Sequence, residues 1–247
     1  MVKRPIHRIV QGGVIPEMDE LAEEVVISII SGDEVIIRLL ATPADLDDLA
    51  RGHFACEDRG DISSISVIDY DIHVEGNVKG RPVDDLLTAA CGACTTGEIS
   101  APLQMVESEA RFQGDINELM IEMKANQKLF KNTGGTHAAA LFDRNGQLLV
   151  LREDIGRHNT VDKVVGAALK SGHKMEIMAL SGRIGWEIVA KSVRVGIPII
   201  MAAGAISSAA ESLARSSGIT LVGFAASQSP AVIGDLSRII DKPSSSR

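Results

Sequence analysis

The chain has 247 residues, 45% of them hydrophobic and 23% charged, with 23 Gly and 8 Pro. These values exclude collagen-like, coiled-coil and wholly disordered classes. A formal charge of −8, with only 5 Phe, 1 Trp and 1 Tyr, argues against a nucleic-acid or membrane surface, which needs cations for phosphates and rings for exposed bases. No apolar run reaches the roughly 18 residues of a membrane helix, and the N-terminal segment lacks the apolar core of a secretory signal. Cys56, Cys91 and Cys94 are too few, and odd in number, for a disulfide framework. A cytoplasmic protein with reduced thiols is the expectation.

In chain order, residues 25–30 and 35–40 read as two strands joined through Ser31-Gly32-Asp33. Thr42 has the features of an N-cap, with Pro43 at the first helical position, and predicts a helix that turns Leu46, Leu49 and Ala50 inward. Residues 63–77 read as one strand closing at Gly76-Asn77. The stretch 81–106 is irregular and rich in small residues, which puts Cys91 and Cys94 on a loop or at a helix edge. From Asp115 the pattern changes. Ile116, Leu119, Met120 and Met123 share one face of a helix running to about Phe130, and strands flank the hairpin signal Asn145-Gly146. A helix over about 159–169 follows. Then continuously apolar runs at 175–182, 197–204 and 219–225 alternate with two helical segments, a parallel βαβαβ unit covered on both faces. The expected class is α/β, with a smaller β-rich N-terminal domain over 1–114 and an α/β domain over 115–247.

Three groups of residues carry candidate chemistry. Cys91-Gly-Ala-Cys94 has small neighbours that leave sulfur accessible, and a second thiol three residues on can lower a thiol pKa. Reactive thiols, half of a zinc site and inert packing all fit that spacing. His73-Val-Glu75 ahead of it echoes the zinc-deaminase signature, but Ala90 stands in place of Pro, and a strand turns residues 73 and 75 to one solvent face. The densest polar cluster is Gly134-Gly135-Thr136-His137 with the run from Arg152 through His158, then Asp162 and Lys163. Paired strands bring these together, and Arg157, His158 and Lys163 beside a helix start suit an anionic ligand. The structural alternative is a solvated ion-pair network in which Arg157 meets Asp154. Finally, the strand ends Ser181-Gly182-Arg183, Ala203-Gly204 and Phe224-Ala225 share the rim where open α/β sheets bind ligands.

The combination of CGACTTG, GGTHAAALFD, EDIGRHNTVDKVVG, SGR and LARSSGITLVGF resembles the formate dehydrogenase accessory sulfurtransferase (FdhD) family over nearly the whole chain. That resemblance implies a three-layer larger domain like that of cytidine deaminases. It also implies transfer of persulfide sulfur from a cysteine desulfurase to the molybdenum or tungsten bis(molybdopterin guanine dinucleotide) cofactor needed by formate dehydrogenase. Matched to the family motifs, Cys91 is the persulfide carrier and Cys94 its partner. His137, Arg157, His158, Asp162, Lys163, Ser181 and Arg183, with the loop Phe224, Ala225, Ala226, Ser227, Gln228 and Ser229, are the matched cofactor-binding positions. The family's basic, glycine-bearing stretch in that loop is missing here. No resident metal is expected. A homodimer is the base-rate expectation, and a cofactor chaperone without sulfur chemistry, or a zinc hydrolase, are the alternatives.

Overall fold

The computed structural model describes residues 1–80 and 103–239, together with the backbone of 85–87 and 94–96. It opens with a hairpin, β1 (Val2–Val10) and β2 (Gly13–Leu21), which turns on Gly12 and Gly13 at positive φ. No element was expected there.

The next sheet contains β3 (Val25–Ser31), β4 (Glu34–Ala41), β5 (Gly60–Ile68) and β6 (Asp71–Val78) in the order β4-β3-β6-β5. Alternate side chains (Ile27, Ile29, Ile37, Leu39, Ile72 and Val74) pack under helix α1 (Leu46–Glu57). Two expectations are corrected here. Residues 63–77 are not one strand but parts of two, joined at Asp69-Tyr70, where Asp69 takes a left-handed φ of 53° without a glycine to announce it. Thr42 does not cap α1. Asp45 precedes the helix, and Thr42 instead bonds across the molecule, as described below.

The short strands β7 (Asp85–Leu87) and β8 (Cys94–Thr96) pair with each other. Cys94 therefore begins a strand rather than lying on a loop or helix edge. Cys91 lies outside the described residues.

Beyond them come α2 (Ile116–Ala125), α3 (Lys128–Thr133), β9 (His137–Phe142), β10 (Leu148–Asp154), α4 (Arg157–Ser171), β11 (Ile177–Leu180), α5 (Trp186–Arg194), β12 (Ile199–Ala202), α6 (Ser208–Ser217), β13 (Thr220–Gly223) and β14 (Ala231–Ile233). The strands form one sheet in the order β10-β9-β11-β12-β13-β14, parallel through β11, β12 and β13 as expected. Leu141, Met178, Leu180 and Ile200 face α4, α5 and α6, while Phe142, Ile177, Ala179 and Ile199 face α2. Three layers result. The helix predicted to run to Phe130 breaks at Asn126, because the Glu153 carboxylate accepts from Leu129 N and Phe130 N, both at 2.7 Å, and so starts a separate helix at Lys128.

The two sheets are fused through α1 and α4. A Cβ on Gly52 would lie 1.7 Å from the Asp162 carbonyl oxygen, and one on Gly166 1.9 Å from that of Asp48. Only glycine at both positions lets the helix backbones touch.

Candidate functional site at the carboxyl rim of the larger sheet

The rim is built by backbone first. Ser181 N donates to Ala138 O at 3.0 Å, and Ser181 Oγ accepts from Ala138 N at 2.9 Å, tying the turn after β11 to β9. The turns after β11 and β12 then run side by side, with Gly204 N donating to Gly182 O at 2.9 Å and Ile184 N to Ala205 O at 3.0 Å. A Cβ on Gly204 would lie 2.8 Å from Gly182 O, so glycine is required for this approach. Phe224 N donates to Gly204 O, which brings the third turn alongside.

Helices α4, α5 and α6 all start at this rim, and a cavity of about 490 Å³ opens beside the last two. Their unsatisfied N–H groups and dipoles make the region electropositive. Arg157 and Arg183 line the cavity, and among the described residues neither guanidinium makes a hydrogen bond or ion pair. His137 lies opposite Asp154 in the β9–β10 register, and its Nδ1 is 3.5 Å from where a Cβ on Gly182 would sit. Burial, then the positive charge of Arg157, His158 and Arg183, push its imidazole below the usual histidine range. His158 is 2% exposed, yet neither ring nitrogen has a hydrogen-bond partner in the described structure. Its Nε2 stands 3.9 Å from Glu187 Oε2, on the cavity wall. The His158 ring above all, with Arg157 adding to it, holds the Glu187 carboxyl down to about 2. Glu187 was not singled out from the sequence, where it is one acid in an amphipathic helix. Trp186 packs against the core and also lines the cavity.

Three of the predicted ligand contacts are corrected. Lys163 is fully enclosed, donating to Asp154 Oδ2 at 2.6 Å and to Thr42 O at 3.0 Å. Asp162 is equally enclosed, 2.7 Å from Lys191 Nζ and 3.2 Å from His53 Nδ1. Neither reaches the rim, because both sit on the face of α4 that packs against the interior. Ala225 buries its methyl in the core below the sheet, while its neighbours Phe224, Ala226, Ser227, Gln228 and Ser229 are exposed. The ion-pair network foreseen for this segment exists, but it is buried, and the partner of Asp154 is Lys163 rather than Arg157.

That network explains the motif. Asp154 accepts from Gly156 N (2.8 Å), Asn159 Nδ2 (2.9 Å), Thr42 N (3.0 Å) and Lys163 Nζ. Ile155 N donates to Thr42 Oγ1 at 3.1 Å. The carboxylate thereby fixes the turn that delivers Arg157 and His158 to the rim. His73 and Glu75 share the outer face of β6, as expected, where Glu75 accepts from Ser64 Oγ at 2.8 Å.

Comparison with known proteins agrees with this arrangement. The family model described as FdhD/NarQ matches residues 22–240. The chain belongs to the FdhD/NarQ family. A sulfur carrier protein FdhD of Sulfolobus acidocaldarius is 35% identical, covering 90% of this chain and 92% of its own length. The counterpart from Mycolicibacterium paratuberculosis is 33% identical over the same shares of the two chains. A crystal structure from Desulfotalea psychrophila, described as a formate dehydrogenase accessory protein, superposes with a TM-score of 0.82 at 26% identity, covering 97% of this chain and 99% of its own. The α/β fold is thus that of the family. Among the described residues no helix is long and apolar enough to cross a membrane.

Proposed function

We propose that the chain is a sulfur carrier that loads sulfur on Cys91 and delivers it to a bis(molybdopterin guanine dinucleotide) cofactor of molybdenum or tungsten, bound at the rim as substrate, in support of formate dehydrogenase. The observation that carries the reading is that two guanidiniums, Arg157 and Arg183, without an ion-pair partner among the described residues, line one cavity beside the starts of α5 and α6, in a family whose curated members are named sulfur carriers. Diphosphates are anionic and bidentate, and guanidinium forks with helix N–H groups match them. The buried nitrogens of His158, without a hydrogen-bond partner among the described residues, and the ionised Glu187 supply polar contacts for the remainder of such a ligand. The exposed residues 224 and 226–229 border the same rim.

The loading step is a thiol exchange. The Cys91 thiolate attacks the outer sulfur of a desulfurase persulfide, the old S–S bond breaks, the desulfurase cysteine leaves as thiolate, and the proton stays on the transferred sulfur. Cys94 is the matched second thiol and a candidate relay.

Intact-mass measurement of the full chain after incubation with a cysteine desulfurase and cysteine tests this. One added sulfur, removed by reductant and missing in Cys91→Ala, is the expected result. A chain that binds guanosine diphosphate at the rim yet takes up no sulfur would instead be a cofactor chaperone.

A further inference from the structure

We propose that the N-terminal hairpin is a dimerisation arm whose outward face packs against the same face of a second copy of this chain. This surface is independent of the sulfur reading. β1 and β2 form a sheet of their own, and in their register directly opposed residues share a face. One face carries Arg8, which pairs with Glu17 and, at 3.0 Å, with Asp19. Val2, Ile6, Glu17 and Asp19 on it are half-buried, so the ion-paired face is the more covered of the two. The other face holds the pairs Pro5–Met18, His7–Pro16 and Ile9–Val14, and all six residues are exposed, Ile9 at 86%, Met18 at 62% and Val14 at 60%. The ribbon is inverted, with its apolar side in water. A lone two-stranded hairpin is marginal in water until such a face is covered, and no element among the described residues covers this one.

The edges direct how it is covered. Each strand carries a proline, Pro5 in β1 and Pro16 in β2, with no N–H to give an added strand. Extension of the ribbon by edge pairing is blunted, which leaves the face. Charge then selects the occupant. The face has one cation and one anion, Lys3 directly opposite Glu20, so it is neutral on a chain whose formal charge is −8. Two such chains can meet here without bringing like charges together. A two-fold axis along the ribbon lays β1 of one copy over β2 of the other at equal height. Lys3 then meets the partner's Glu20, and Ile9 meets the partner's Val14, each contact occurring twice, as an isologous interface requires. Strands of nine residues give a face of about 300 Å² in each copy, less than the roughly 800 Å² of a permanent complex. The dimer is accordingly reversible and concentration-dependent.

Sedimentation equilibrium of the full chain from about 1 μM to 1 mM tests this, with a monomer–dimer equilibrium expected. Two double variants, Ile9→Lys with Val14→Lys and Ile9→Glu with Val14→Glu, should each dimerise about a hundredfold more weakly, and their equimolar mixture should recover a heterodimer. Ile15→Lys, exposed on the opposite face beside Val14, should dimerise as the wild type does. Hydrogen exchange of the wild type over the same concentrations needs no variant: protection within residues 2–21 should rise with the dimer fraction. A wild type that stays monomeric overturns the proposal, whatever else the face binds. So do double variants that dimerise normally, a mixture that stays monomeric, an equal loss in Ile15→Lys, or hairpin protection that does not change with concentration.

Discussion

At the residue scale, His137 and Asp162 are both held below their ordinary values, His137 because its charged form is disfavoured and Asp162 because its charged form is stabilised. His137 is held below the ordinary histidine value of 6.5 by burial and by Arg157, His158 and Arg183. An anion bound among those cations raises its pKa, so binding takes up a proton. Affinity for guanosine diphosphate should therefore rise as pH falls below 6.5, and His137→Gln should flatten that rise in a calorimetric pH series. Asp162 is pushed up by burial but held at about 2 by Lys191 and His53. A depressed carboxylate stabilises the folded state above its unfolded pKa of about 4, and that stabilisation, on the order of 2 kcal/mol, is lost as pH falls toward 2. Urea midpoints measured from pH 5 to pH 2 should show this loss in the wild type. In Asp162→Asn the loss should be smaller. Substituting Asp154 by Ala strands Lys163 in the interior and should cost about 3–5 kcal/mol, lowering the denaturation midpoint accordingly.

Elements respond to changes that leave their own sequence sensible. Replacing Gly52 or Gly166 by alanine raises helix propensity, yet each Cβ would enter the facing backbone at under 2 Å. Either change should destabilise by about 3 kcal/mol or more through overpacking, read as a fall in urea midpoint. Glu153→Ala uncovers the first N–H groups of α3 and should cost about 1–2 kcal/mol, read as faster exchange at Leu129 and Phe130. The boundaries that sequence periodicity misplaced are explained by the same bonds. The Asn126 side chain caps the Glu122 carbonyl at 2.9 Å, a local stop that periodicity does not read, whereas nothing local diverts Thr42 from capping. Glu153, distant in sequence, starts the next helix, and Asp154 and Ile155 claim Thr42. The Asn145-Gly146 hairpin and the parallel strands were legible because their signals are local or apolar throughout.

On the scale of the whole molecule, α1 carries its sheet against α4 so closely that the two cores should unfold together. Calorimetry should show one transition, with matching calorimetric and van't Hoff enthalpies. Two resolved transitions would mean that the helix pair does not couple them. The same fusion sets the rim. Thr42, the residue after β4, bonds to Asp154 and Ile155 at the end of β10, so Arg157 and His158 depend on a segment more than a hundred positions away.

By itself the sequence determined the fold class, the βαβαβ order and the neighbourhood of the rim, because hydrophobic period, turn glycines and strand-end motifs are encoded within a few residues. It also singled out Arg157, His158 and Arg183, as residues whose charge is concentrated near helix starts. Tertiary structure alone decided which side chains face outward. Asp162, Lys163 and Ala225 turn inward and Glu187 joins the cavity, since the side of a helix or turn that meets solvent is fixed by what packs against the other side.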